Sequence, residues 1–246
     1  MEYKYKDVSI NYSFYDNKSK TNIIYLHGWG QNIEMMMPIA KPFIKKDNVL
    51  IIDLRGFGLS SEPTSEWELK DYADMVSELS KKLKMKDPIL VGHSFGGKIS
   101  ICYALKYDVK KLVLLASPYK KGIKKTSLKV KMLKAMKKVP GLRKLENYVK
   151  KHVGSTDYRN ASVMMRNILV KHVNTDLTEE VKNIKCPTVL IWGTNDEEAK
   201  YEDALELEKL IPNAGLVTYE GCTHYAYLER LQQTINILNS FIGSDK

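Results

Sequence analysis

Residues 89–98 read ILVGHSFGGK. An apolar run stops at a Gly-His-Ser-Phe-Gly-Gly knot, and ISICYALKY (99–107) then continues with helical spacing. Glycine loses more backbone freedom on folding than any other residue, so this density of glycines marks a geometric demand. Gly92-His93-Ser94-Phe95-Gly96 fits G-x-S-x-G at the junction of a strand and a helix. There a serine sits on a sharp turn, and the residues two before and two after it must be small for strand and helix to approach. The helix that follows aims N–H groups and a positive dipole end at any negative charge forming beside the serine.

Outward from this knot the pattern repeats. NIIYLHG (22–28), NVLIIDLRG (48–56), PILVGHS (88–94), KLVLLAS (111–117), PTVLIWG (187–193) and AGLVTYEG (214–221) are short and rich in Ile, Val and Leu. Such runs suit strands buried on both faces of a parallel sheet. DVSINYSFY (7–15) alternates instead and reads as part of a half-exposed opening hairpin. Between the strands, SEWELKDYADMVSELSKKLK (65–84) carries a stripe of Trp67, Leu69, Tyr72, Met75, Val76, Leu79 and Leu83. The expectation is an α/β fold, a doubly wound, mostly parallel sheet of about eight strands with right-handed crossovers.

The alternation breaks after LLASPYKKG (114–122) and resumes about 65 residues later at CPTVLIWG (186–193). TSLKVKMLKAMKKVPG (126–141), LRKLENYVKKHVG (142–154), TDYRNASVMMRNILVKHV (156–173) and LTEEVKNI (177–184) all have helical character. The reading is a core of residues 1–118 and 186–246 with a helical insertion at 119–185.

A serine nucleophile needs a base, and the base needs an orienting acid. His224, in EGCTHYAYLE, follows the last expected strand, and Asp196, in LIWGTNDEE, follows the one before it. Both fall in loops at the carboxyl edge of the sheet, where sites of open α/β folds gather. Glu197 and Glu198 compete with Asp196 for the acid; His27, His93, His152 and His172 compete with His224 for the base. Cys222 is an alternative, thiol nucleophile whose surroundings fit that role less well than those of Ser94. An oxyanion also needs donors: the N–H of Phe95, next to the serine, and the N–H of Trp29 in HGWGQ. The alternative for the second is a glycine-rich turn with Trp29 as core filler.

Five motifs in this order, HGWG (27–30), DLRGFGLS (53–60), GHSFGG (92–97), WGTND (192–196) and GCTH (221–224), resemble the α/β-hydrolase superfamily in its cap-bearing, esterase- and lipase-like group. The resemblance covers nearly the whole chain. It implies Ser94 as nucleophile, Asp196 as acid, His224 as base, and Trp29 and Phe95 as oxyanion donors. A serine at position 94, not an aspartate, argues against a haloalkane dehalogenase. DLRGFGLS is a structural turn in that pattern, so Asp53 and Arg55 are not expected to be catalytic. The implied activity is hydrolysis of carboxylic esters with an apolar acyl group through an acyl-enzyme, with no cofactor and no metal. Alternatives are an acyl thioester or carrier-linked ester hydrolase, a carbon–carbon bond hydrolase on the same scaffold, and a ligand-sensing binder that retains the triad. The resemblance makes 119–185 a cap over the site, with Leu128, Met132, Leu133, Met136, Val139, Met164, Met165 and Ile168 as pocket candidates. They serve equally well as contacts between cap helices.

The formal net charge is +10. Residues 119–185 hold 18 Lys or Arg against five Asp or Glu, so the remainder of the chain is net acidic. This basic segment reads as a solvated surface, as a docking face for an acidic carrier protein, or as a face resting on an anionic membrane. Nucleic-acid binding is not expected, because no recognition motif accompanies the charge. Three scattered cysteines and a first stretch without a signal-peptide pattern fit a cytoplasmic protein.

Overall fold

The structure, a computed structural model, describes residues 1–121 and 161–243. Its frame is one eight-stranded sheet in the order β1-β2-β4-β3-β5-β6-β7-β8. The strands are β1 (Glu2–Tyr5), β2 (Val8–Tyr15), β3 (Asn22–Leu26), β4 (Asn48–Ile52), β5 (Ile89–His93), β6 (Lys111–Leu115), β7 (Thr188–Gly193) and β8 (Ala214–Tyr219). The opening hairpin is antiparallel, as is the pairing of β2 with β4; every later pairing is parallel. This is the expected α/β architecture, with the chain reversing its direction of growth on either side of β3.

Period-two alternation sends neighbouring strand residues to opposite faces. Ile24, Leu26, Leu90, Leu112, Leu114, Leu190 and Trp192 face one buried layer, which contains α2 (Leu69–Lys82) and α3 (Phe95–Lys106). Ile23, Tyr25, Val49, Ile51, Val91, Val113, Leu115 and Ile191 face the other, which holds α1 (Ile33–Ala40) and the C-terminal helix Leu231–Gly243. β8 departs from the reading of a strand buried on both faces: only Tyr219 of its six residues is fully buried, because the strand closes the sheet edge. The stripe from Trp67 also starts before its helix. Glu68 and Asp71 form a reciprocal capping box that sets the first helical residue at Leu69.

Within 119–185, the described residues form a helix over Val163–Asn174, here α4, and a short 3₁₀ turn over Glu180–Asn183 in place of the expected helix at 177–184. Ser162 caps α4 by accepting the Met165 N–H. The two ends of the segment meet: the Leu177 N–H donates to the Tyr119 carbonyl at 2.9 Å, and the Lys121 N–H to Asp176 Oδ2 at 3.2 Å. Lys98, on α3 and 1% exposed, joins both sides. Its ammonium donates to the carbonyls of Thr175 (2.6 Å), His172 (3.1 Å) and Lys120 (3.4 Å). No helix among the described residues is long and apolar enough to cross a membrane.

Candidate active site

Ser94 stands between β5 and α3 with φ 50° and ψ −111°, a backbone conformation that a side chain rarely adopts. The crowding that holds it there explains the flanking glycines. A Cβ on Gly92 would lie 2.6 Å from the Gly96 carbonyl oxygen and 2.5 Å from Ser100 Oγ; one on Gly96 would lie 2.2 Å from the Leu26 carbonyl oxygen. The turn's N–H groups are divided. Ser94 donates to Leu115 O, Gly96 to His27 O and Lys98 to Ser94 O, while Phe95 opens α3, where an N–H has no acceptor within the helix.

The turn after β7 carries three consecutive carboxylates, and the structure separates them. Asp196 is buried, accepts the N–H groups of Glu198 and Ala199 on Oδ1 at 2.8 and 2.9 Å, and presents Oδ2 to His224 Nδ1 at 2.8 Å. Main-chain donors therefore fix the carboxylate before the imidazole meets it. The Glu198 carboxylate is largely exposed and lies 3.4 Å from His224 Nε2. His224 itself is buried. No hydrogen bond joins the Ser94 hydroxyl to His224 among the described residues. Such contacts often tighten only when substrate binds. The tie between the two loops runs through the neighbour of the serine: His93 Nε2 is 3.1 Å from the His224 carbonyl oxygen, and the two rings meet at 4.9 Å, tilted by 50°.

The HGWG loop comes to the same end of the sheet. His27 accepts the Leu54 N–H on Nε2 (2.9 Å), which leaves Nδ1–H to donate to the Gly28 carbonyl (2.7 Å). Carbonyl and N–H of one peptide point in opposite directions, so this bond orients the Trp29 N–H away from His27. Burial pushes the His27 pKa down to about 4, keeping that tautomer neutral. The Trp29 ring packs edge-on against Phe57 and Phe95 and lies parallel to His172 of α4 at 6.3 Å. Its side chain thus fills an aromatic cluster with Phe57, Phe95 and His172.

Of the pocket candidates, Ile168 lines a cavity of about 500 Å³ with Trp67, Tyr72, Phe95, His172 and Leu177. Met164 is half-buried against the same core, and Met165 packs over Gly56. Leu128, Met132, Leu133, Met136, Val139 and His152 lie outside the described residues. Several described cations of the basic segment sit in ion pairs: Lys120 with Asp203 and Glu206, Lys171 with Glu66, and Lys182 with Glu179. Asp53 is a hub, accepting from Ile33 N–H, Leu59 N–H and Asn11 Nδ2, and the Arg55 guanidinium lies 3.8 Å from the centre of the Trp67 ring. Both act as scaffold. Cys222 is buried in the core layer behind the site. The sequence reading gave no part to Gln31, Lys98 or the Glu198–Nε2 contact. Lys98 carried a signal, a lone cation in an apolar helical stretch; Gln31 carried none.

Comparison with known proteins agrees with this architecture. The profile of a family described as the alpha/beta hydrolase fold matches residues 21–144, half of the chain. The AB hydrolase superfamily protein YisY of Bacillus subtilis is 29% identical over 252 residues, covering 90% of this chain and 91% of that protein. Lipase 1 of Psychrobacter immobilis is 29% identical over 242 residues, covering 89% and 76%. Among solved structures, Est816, described as an N-acyl homoserine lactone degrading enzyme, superposes with a TM-score of 0.78 at 21% identity, covering 98% of this chain and all of that one. The chain belongs to the alpha/beta hydrolase fold family.

Proposed function

We propose that this hydrolase cleaves carboxylic esters bearing an apolar acyl group, with Ser94 as nucleophile, His224 as general base and Asp196 as the orienting acid. Ester hydrolysis accords with relatives that are named lipases, from Psychrobacter immobilis and from Moraxella. The observation that carries the assignment is the buried Asp196–His224 pair at 2.8 Å, on loops at the same sheet edge as the strained Ser94 turn.

In this reading His224 Nε2 takes the Ser94 proton as Oγ bonds to the ester carbonyl carbon. The oxygen that becomes negative is met by the N–H groups of Phe95 and Trp29, each such donor contributing on the order of 10²- to 10³-fold in rate. Collapse breaks the carbon–oxygen bond, and the leaving alkoxide receives the proton from His224. Water then attacks the acyl-serine, again giving its proton to His224, and the acid departs as Ser94 is restored. Asp196 holds the Nδ1–H tautomer and stabilises the transient imidazolium. Residues 119–185 act as the cap, and the cavity bordered by Phe95 and Ile168 takes the acyl chain.

The test is labelling by a fluorophosphonate probe, native chain against Ser94→Ala, followed by a chain-length series of p-nitrophenyl esters. Labelling that depends on Ser94 and a rate that rises with acyl length are expected. An unlabelled native protein, or equal labelling of both proteins, would overturn the assignment.

A further inference from the structure

Three segments must keep their relative positions for this chemistry: the HGWG loop, the turn of Ser94 and the loop of His224. Two side chains outside the triad connect all three. Gln31 Oε1 accepts the Gly28 N–H at 3.0 Å and lies 3.2 Å from His93 Nδ1, and Gln31 Nε2 donates to the Tyr225 hydroxyl at 3.3 Å. His93, next to Ser94, makes a second tie to the same loop, with Nε2 3.1 Å from the His224 carbonyl oxygen. The His93 ring is fully buried and packed among His224, Tyr225 and Tyr227 at 4.8–5.4 Å.

The protons in this bridge can be assigned. The Gln31 amide orientation is set by Gly28, since turning it over would bring its NH₂ against the Gly28 N–H. Burial, with the neighbouring His224, pushes the His93 pKa down to about 3, so its ring is neutral and has a single N–H. Two acceptors compete for that hydrogen. Gln31 Oε1 is already satisfied by Gly28, whereas the His224 carbonyl has no other donor among the described residues. A buried carbonyl left unpaired is costly, so the proton belongs on Nε2. Nδ1 then faces Gln31 Oε1 without a hydrogen bond, and the two side chains are separate ties to the loop of His224: Gln31 through the Tyr225 hydroxyl, His93 through the His224 carbonyl.

We propose that His93 and Gln31 are positioning residues for the reaction: His93 Nε2–H anchors the main chain of the base, and the Gln31 amide anchors the oxyanion loop. Together they fix the separation between the imidazole and the donors at Trp29 and Phe95. This rests on the reading of Ser94, His224 and Asp196 as the triad. Neither residue touches the reacting atoms, so the bridge acts on turnover and not on affinity. Misplacement of a catalytic group by about 1 Å costs roughly 10²-fold.

The experiment compares kcat and KM of four variants on one p-nitrophenyl ester, with melting temperatures. A glutamine amide nitrogen reaches the position of a histidine Nε2, and an asparagine amide reaches only that of Nδ1. His93→Gln is therefore expected to retain kcat within about three-fold. His93→Asn and Gln31→Leu are expected to lose roughly 10- to 100-fold in kcat with KM unchanged. Gln31 is half-buried, so Gln31→Leu is expected to keep its melting temperature and tests the bridge even where a His93 variant fails to fold. The proposal is overturned if Gln31→Leu keeps its kcat or loses only affinity, or if folded His93→Gln and His93→Asn are equally impaired. Fluorophosphonate labelling of the native chain separates the two claims. Ser94-dependent labelling with full turnover in Gln31→Leu sinks the bridge alone, and absent labelling sinks the triad and the bridge together.

Discussion

Asp196 meets His224 through one carboxylate oxygen and the main chain of its own turn through the other. The carboxylate is thus locked by two N–H donors before it meets the imidazole. Asp196→Asn keeps an oxygen for those donors but offers the ring an amide in place of a charge. A fall in kcat of about 10²- to 10⁴-fold is expected, with the fold intact. Glu198→Gln, at the exposed carboxylate, should change kcat less than about five-fold. Steady-state kinetics on a soluble ester check both, and the reverse ranking would move the acid to Glu198.

Gly96→Ala should be among the most damaging single changes in the protein. The added carbon meets main chain, the Leu26 carbonyl at 2.2 Å, and main chain cannot rotate away as a side chain can. A loss of roughly 2–4 kcal/mol is expected, of the size seen for overpacked and strained sites. Gly215→Ala, with nothing within 4 Å of the new carbon, is the matched control on the edge strand. Urea denaturation of the two variants measures the difference.

Acid should destabilise the protein well before its carboxylates titrate. Burial lowers the pKa of His27 to about 4 and those of His93 and His172 to about 3. An unfolded chain binds these protons near ~6.5. Between those limits the unfolded state holds more protons, so stability falls as pH falls, by up to about 1.4 kcal/mol per pH unit for each histidine. Urea midpoints between pH 7.5 and pH 4.5 test this. A flat profile would mean that these rings are not buried in neutral form.

Lys98 behaves in the opposite range. Burial lowers its pKa to about 8, against about 10.4 for an unfolded lysine. Between these values the unfolded chain again holds more protons, so the contribution of Lys98 to stability rises with pH. Lys98→Met also leaves the carbonyls of His172 and Thr175 at the end of α4 without their donor, costing about 1–3 kcal/mol. Denaturation at pH 7.5 and pH 10 should show the native protein gaining on this variant, by up to about 3 kcal/mol. An unchanged difference between the two pH values would contradict the buried-ammonium assignment.

What could be read along the chain was what local geometry dictates. Gly92 and Gly96 announced the turn of Ser94 because each lies within two residues of it, and the apolar runs announced the strands because period and length suffice. Its place in WGTND favours Asp196 over Glu197 and Glu198, but which of the three turns inward to take the N–H groups of Glu198 and Ala199 has no local signature. The edge position of β8 was hidden for a similar reason: its residues look like those of a central strand, and only the strand order leaves one side bare. Gln31 and the contacts of His93 were beyond reach. Their contacts join residues 62 and 131 positions apart and leave no periodic or motif signature.

The joint where Tyr119 and Leu177 share a hydrogen bond, with Lys98 beneath it, also bears on how such a protein changes over time. The chain leaves the sheet and returns to it through one narrow doorway, so β6 and β7 pair as neighbours whatever length of polypeptide lies between. Closing a longer loop adds only slowly to the entropic cost, roughly 0.6 kcal/mol per doubling. Lengthening the chain beyond the doorway need not alter this pairing, whereas α4 is bound to the site by the packing of His172 on Phe95 and Trp29. Under the proposed function, length changes between these two residues would reach the acyl pocket and leave the order of the strands beneath it in place.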